Sequence, residues 1–383
     1  MDYHPLADID PKYFADRGNR LVVLPTERRL LSQIARGRNL SRTALAEQLG
    51  MARETLHDAI MALCDRRLIY LGNAEAGGPD GKTTPRLLLN PRYCCAVGVA
   101  VESSHAGIAL MDFAGSVWSR SIPVASLSMD EVLSRIDGEI SALLLETGFA
   151  RDDIFGLGFC VEGQVRDRTA FLAIPTLPSW SKVHFGPLLQ QWYGLPIWTQ
   201  TAAQAAAGFE NRSGLGKKAK NFVHLSVGQS LAAGLILDGQ LRQGALGNAG
   251  GMEGLMSCDV AKRPTLEGLQ ASLCSHGADI PDMADFVTSL DIRSAGVRAW
   301  LSDAAPTLLE LTAILQHVVD PEVVVVGGRM PKHLAKALVD HAVSLGSKGR
   351  KTKKDKPDLV MSELPEDSAA MGAAWLPFAQ TFF

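Results

Sequence analysis

Apolar residues along this chain change their spacing near residue 91. Before it they recur every three to four positions. Leu30, Leu31, Ile34 and Ala35 fall on one helical face that ends before Gly37, a residue suited to a left-handed stop. Leu45 and Leu49 mark a second helix, which Ser41 can cap and Gly50 breaks. Leu56, Ala59, Ile60 and Leu63 mark a third, from Ala52 to Cys64, with Arg53, Glu54, Thr55, His57 and Asp58 turned outward at its start. "RRLIYLG" and "RLLLN" then read as two strands around a long turn, "NAEAGGPDGKTTP".

After residue 91 the pattern becomes one of continuous apolar runs. "CCAVGVAV", "AGIALMDFAG" and "SVWSRSIPV" read as a strand meander, and Met129 to Glu146 as a helix. "IFGLGFCV" is a buried strand, and "LPIWTQ" leads into an alanine-rich helix from Ala202 to Glu210. The plan then recurs. "NFVHLSVG" and "AAGLILDGQL" are strands, followed by a glycine-rich loop, a long helical stretch to Val319, a parallel-sheet strand "EVVVVGG" and a helix from Lys332 to Val343. Two similar halves predict two α/β lobes with a cleft between them.

A chain of 383 residues is long enough for two or three such units. With 46% hydrophobic and 21% charged residues it is far from the composition of a disordered chain. The start, with Asp2, Asp8 and Asp10, lacks the pattern of a secretory signal, and no apolar run is long enough to span a bilayer, so a cytoplasmic protein without membrane contact is expected. The six cysteines have no paired spacing and read as reduced thiols.

The net charge of −3 offers no global attraction to nucleic acid, so any such contact must be local. From Leu24 to Asn90 there are ten Arg or Lys against seven Asp or Glu. Two short helices joined through a glycine turn, with polar residues at the start of the second, fit a helix-turn-helix whose second member enters the major groove. The strands and long turn would complete a winged helix. Arg53 is the candidate for a bidentate guanine contact, with Thr55 and His57 as supporting readers. Ser41, Arg42 and Thr43 would position the backbone, and Lys82 and Arg86 would reach phosphate or a minor groove. The alternative is a small helical protein-interaction domain. A run from Lys348 to Lys356 holds six basic residues against Asp355 and reads as a solvated loop that could add phosphate contacts on a DNA-binding dimer.

The order of parts resembles the ROK group of sugar kinases and transcriptional repressors over nearly the whole chain. "VGVAVESSHAGIALMDFAG" is similar to that family's first phosphate loop, "IPTLPSW" to its sugar-contact segment and "TAAQAAAGFE" to the segment with its catalytic aspartate. "SVGQSLAAGLILDGQLRQGALGNAGG" is similar to the second phosphate loop, and "PEVVVVGG" and "AAMGAAWL" to the closing elements. The resemblance implies an α/β fold: an N-terminal winged helix-turn-helix followed by a two-lobed, actin-like sugar kinase body of the ribonuclease H-like type. It divides the chain into 1–91 (core 24–90), a first lobe of 92–200 plus 367–383, and a second lobe of 201–366.

Several family motifs are altered. Ala100, Glu102, Ser103 and Ser104 stand where the first phosphate loop has Asp, glycines and Thr, and Gln229, Ser230 and Ala232 stand in the second, so side chains occupy the approach of a nucleotide. The resemblance puts Ala202, or Thr201 if the alignment shifts by one, at the place of the catalytic aspartate, and no carboxylate lies between Arg168 and Glu210, so no catalytic residue is assigned. The family's zinc ligands are replaced by Gly254, Val260 and Thr265, leaving Cys258 alone; neither metal nor cofactor is expected. Thr176, Trp180, Thr201 and Glu253 remain as a candidate pocket for a sugar or sugar-derived effector. Against this, Trp180 reads as a packed surface aromatic and Glu253 as a solvated loop residue. The resulting expectation is a homodimeric or larger transcriptional regulator that binds a double-stranded operator and is not an enzyme. The alternative is an ATP-dependent sugar kinase with an atypical site.

Overall fold

The computed structural model describes residues 23–36, 42–72, 86–124, 127–166, 170–173, 177–278, 280, 290–347 and 357–383. Helix α1 (Pro25–Ala35) starts where a proline can supply the first helical residue and Glu27 can reach back, its carboxylate accepting from the Leu24 N–H at 2.9 Å. Helices α2 (Arg42–Leu49) and α3 (Arg53–Asp65) follow, and Leu30, Leu31, Leu45, Leu49, Leu56, Ile60 and Leu63 are buried between the three. Strands β1 (Ile69–Leu71) and β2 (Leu87–Leu89) pair antiparallel, Ile69 opposite Leu89. This is the three-helix and two-strand order read from the sequence. The turn expected to link the strands lies outside the described residues.

The first large sheet contains β3 (Cys95–Val101), β4 (His105–Asp112), β5 (Val117–Pro123), β6 (Ile154–Val161) and β9 (Ile197–Thr201), in the spatial order β5-β4-β3-β6-β9. The β3–β4–β5 meander is antiparallel, whereas β3, β6 and β9 run parallel. Every residue of β3 and β6 is buried, as expected of strands covered on both faces, while the edge strand β5 is largely open. Helix α4 (Met129–Thr147) begins with a reciprocal cap between Ser128 and Glu131. A hairpin of β7 (Gly163–Arg166) and β8 (Ala170–Ala173), absent from the sequence reading, branches from the end of β6. Helix α5 (Phe185–Tyr193) precedes β9, and α6 (Ala202–Ser213) follows it without a break.

The second sheet repeats the plan. Strands β10 (Phe222–Val227), β11 (Leu231–Leu237) and β12 (Gln240–Arg242) form its antiparallel meander, and β13 (Val323–Gly327) and β14 (Asp358–Met361) add on in parallel, in the order β12-β11-β10-β13-β14. Among the described residues, the helical stretch expected up to Val319 contains α7 (Leu266–Ser275) and α8 (Ala295–Val319). Helix α9 (Lys332–Ser347) joins β13 to β14, and α10 (Ser368–Thr381) closes the chain against the first sheet.

Small residues bring α6 and α10 to the middle of the molecule. A Cβ at Gly98 or Gly158 would collide with carbonyls of Ala370 and Ala373 on α10. One at Gly372 would strike Ala205 on α6, and one at Gly234 of β11 would strike Ala207. The two helices therefore lie almost on the backbones beneath them, one over each sheet. An aromatic group of Tyr93, Phe113, Phe155, Phe378 and Phe382 continues this packing toward the first three helices. There the Arg28 guanidinium donates to the Gln380 and Thr381 carbonyls at 3.1 and 2.8 Å. All six cysteines are free; Cys94, Cys95 and Cys160 are buried and Cys274 is exposed. Among the described residues no helix is long and apolar enough to cross a membrane.

Candidate functional site

Helix α3 carries the residues expected to read bases. The preceding Gly50 adopts φ +61°, the left-handed region that favours glycine, and turns the chain between α2 and α3. Arg29 donates to the Leu49 carbonyl at 2.5 Å, using α1 to hold the end of α2. Leu56, Ile60 and Leu63 face inward, which leaves Arg53, Thr55 and His57 exposed. Arg42, at the start of α2, and Arg86, just before β2, are half-buried. Thr43 belongs to α2, but its side chain, like Ser41, Lys82 and the 348–356 basic run, lies outside what is described.

A second polar cluster lies where the two sheets face each other. The Glu162 carboxylate, at the end of β6, accepts from the N–H and hydroxyl of Ser103, both at 3.2 Å, through one oxygen. Its other oxygen accepts from the N–H and hydroxyl of Ser230, at 3.2 and 2.6 Å. Arg329, which follows β13, meets the Glu102 carboxylate at 2.7 Å and that of Asp367 at 2.9 Å. Burial pushes the Glu102 carboxyl up to about 7 despite Arg329, with Glu162 and Asp367 adding to the rise. Ser103 and Ser230, expected only to obstruct a nucleotide, are thus the hydroxyls that bind Glu162. The sequence reading missed Glu162 and Arg329. Each follows an apolar strand, but nothing in the spacing says that they meet. A small pocket beside Arg329 is lined by Gly327, Gly328, Met361, Ser362 and Glu366, at the carboxyl ends of parallel strands.

Of the residues expected to hold an effector, the three that are described do not form one polar surface. Trp180 is 2% exposed, stacked on Phe159 and Phe185 at ring separations of 6.2 and 5.8 Å; it is a core residue rather than a pocket wall or a surface aromatic. Thr201 is buried as the N-cap of α6, where its hydroxyl accepts from the Gln204 N–H at 3.4 Å. Glu253 is exposed on a short turn, and Thr176 lies outside the described residues.

Ala202 opens α6 and is buried, so the first helical residue brings no base to the cleft. The nearest carboxylate on that helix, Glu210, is engaged elsewhere. It accepts from the Leu215 N–H at 2.8 Å and the Ser362 hydroxyl at 2.6 Å, and lies 3.6 Å from the buried His224 ring. Burial acts to raise its pKa, but these partners outweigh it and hold the carboxyl below its ordinary value.

The positions that the resemblance aligns with zinc ligands do not fit a metal. Thr265 is buried and caps α7 by accepting from the Gly268 N–H at 3.1 Å. Val260 begins a short 3-10 turn, and the Cys258 sulfur lies 3.9 Å from the Thr307 hydroxyl. A single thiol cannot supply the four ligands of a structural zinc site.

Comparison with known proteins agrees with this architecture. An uncharacterized protein of Sinorhizobium fredii, y4fQ, is 26% identical over 370 residues, covering 95% of this chain and 94% of its own length. The xylose repressor of Bacillus subtilis is 22% identical over 232 residues; the match covers 60% of this chain and 59% of that repressor. In three dimensions the chain superposes on a ROK family transcriptional regulator, a homolog of the E. coli MLC protein, with a TM-score of 0.68 and 20% identity, over 92% of this chain and 95% of that one. ROK family sugar kinases share the fold of the body. Residues 97–263 match the ROK family, and the chain therefore carries a ROK family domain.

Proposed function

We propose that this protein is a DNA-binding transcriptional repressor of the ROK type, with residues 1–91 gripping an operator and the remainder serving as a catalytically inactive, kinase-like body. The body would be built of a first lobe, 92–200 with 367–383, and a second lobe, 201–366. It would dimerise in the cytoplasm so that two copies of α3 meet a pseudo-palindromic site. The exposed Arg53, Thr55 and His57 at the start of α3 are the observation that carries this reading. They are held outward by a buried Leu56–Ile60–Leu63 face. Arg42 and Arg86, together with Ser41, Thr43 and Lys82, would add backbone contacts that position the helix. The relatives named xylose repressors make repression the expected outcome and a sugar or sugar derivative the expected class of effector.

The same body supports the reading of catalytic inactivity. Phosphoryl transfer to a sugar hydroxyl needs a carboxylate in reach of it. Ala202 supplies none, and the cleft carboxylates are occupied by Arg329 and by four donors from Ser103 and Ser230.

A mobility-shift assay on the region upstream of the protein's own gene, at stated salt, tests the first half of the proposal. Retardation that survives nonspecific competitor DNA is expected. Nucleotide turnover with a panel of hexoses and aminosugars tests the second half. Indifference to every duplex, or consumption of ATP in the presence of any sugar, would overturn the corresponding half.

A further inference from the structure

Glu162 has an arrangement unlike an ordinary surface carboxylate. Each of its oxygens receives one backbone N–H and one hydroxyl, and the two pairs of donors come from different sheets. Ser103 lies in the turn between β3 and β4, and Ser230 lies between β10 and β11. Paired N–H groups with adjoining hydroxyls form a receptor for an oxyanion, and charge-assisted bonds of this kind are stronger than neutral ones. Arg329 makes a second crossing alongside: it leaves the end of β13 and joins Glu102, which follows β3, to Asp367, which precedes α10. The two crossings are neighbours, since a Cβ at Gly228 would lie within 3.9 Å of both Glu162 and Arg329.

We infer that Glu162 is an internal latch: its carboxylate occupies an oxyanion receptor formed jointly by the Ser103 and Ser230 loops and keeps the cleft between the two sheets closed. A carboxylate fixed to the chain competes at high effective concentration against any free anion. The receptor is therefore filled in the unliganded protein, and the two loops separate only when Glu162 withdraws. The latch depends on neither operator binding nor effector identity, so it stands or falls separately from the proposed function.

Hydrogen exchange on the full-length wild type, Glu162→Ala and Glu162→Gln tests it. The Glu162→Ala variant leaves both pairs of donors without an acceptor. Exchange in peptides covering 101–105 and 228–232 is expected to accelerate about tenfold or more, with the rest of the body unchanged. Inorganic phosphate, added at constant ionic strength, is expected to restore protection in that variant and to leave the wild type unaltered. Glu162→Gln retains the size of the side chain but only one accepting atom, so one loop should loosen; this variant carries the test if the alanine variant does not fold. Unchanged exchange in both loops, acceleration spread evenly over the chain, or a variant whose loops ignore phosphate would each overturn the inference.

Discussion

Helix α3 and the cleft between the sheets use polar side chains in opposite ways. On α3, Arg53, Thr55 and His57 project from a buried apolar face, and among the described residues none of their side chains makes a hydrogen bond or ion pair. In the cleft, Glu102, Glu162, Arg329, Asp367, Ser103 and Ser230 bind one another. Polar groups left open to water are available to a partner and contribute little to folding. Polar groups satisfied internally hold elements together and offer little to a ligand. Substitutions on α3 should therefore change binding without changing stability, and substitutions in the cleft should do the reverse.

The largest effect should appear in the pH dependence of stability. Burial raises the Glu102 carboxyl from 4.5 to about 7, and Glu162, Asp367 and Arg329 are the charged groups that face it, with the Cys160 thiol beside them. A folded-state pKa above the unfolded one means that the native chain holds the proton more tightly. The contribution is complete below 4.5 and is lost as pH rises through about 7. A shift of this size corresponds to roughly 3 kcal/mol. Urea unfolding at pH 5 and pH 8 should show wild type losing stability across that window and Glu102→Gln losing much less. Equal slopes in the two proteins would mean that Arg329 keeps Glu102 ionised throughout.

Arg329→Ala comes next. It strands the Glu102 and Asp367 carboxylates, whose side chains are only 10% and 20% exposed. Removing one partner from such a pair costs several kcal/mol when fully buried, and about 2 kcal/mol is expected here because Asp367 retains some water. The loss should be greater at pH 8 than at pH 6, where Glu102 can take up a proton, and operator affinity should stay within twofold, or about 0.4 kcal/mol. A marked fall in affinity at preserved stability would erase the contrast between the two regions.

Arg53→Ala tests the other side. Loss of a bidentate base contact costs about 1–3 kcal/mol. Operator affinity should thus fall about tenfold for each half-site, with specificity relaxed at one base position. The melting temperature should be unchanged, since Arg53 is exposed and is not one of the buried residues of α3. A binding curve unaffected by the substitution would remove α3 from the role of reading helix.

The contrast also separates what the sequence made legible from what it hid. Helical spacing located α1, α2 and α3, and buried runs located β3, β4, β6, β10 and β13, because each pattern is written into consecutive residues. The outward face of α3 was legible for the same reason. The β7–β8 hairpin was not: its two strands are only four residues each, β7 alternates between half-buried and exposed while β8 is mostly buried, and the pair branches off the sheet instead of extending it. The cleft was hidden for a different reason. Glu162, Ser230 and Arg329 are separated by dozens of residues, and only the duplicated sheet plan brings them together. Trp180 illustrates the converse. Its position in a sugar-contact-like segment suggested a pocket, but the decisive neighbours, Phe159 and Phe185, lie on β6 and α5 and take the ring into the core.

The smallest expected effect sharpens the comparison most finely, because Thr201 was read as a ligand contact and is found as a helix cap. Its hydroxyl is the first polar group of α6, the helix that lies over the second sheet, and it satisfies the Gln204 N–H. Removing a threonine N-cap costs about 1 kcal/mol. Thr201→Ala should therefore lower stability by that amount, and Thr201→Ser, which keeps the oxygen, should recover most of it. If Thr201 serves only the helix, any shift in melting temperature that a sugar produces in wild type should persist in both variants. A sugar-dependent shift lost in Thr201→Ala and regained in Thr201→Ser would return this hydroxyl to the effector pocket. It would also show that the cleft, for all its internal pairing, keeps one polar group for an outside partner.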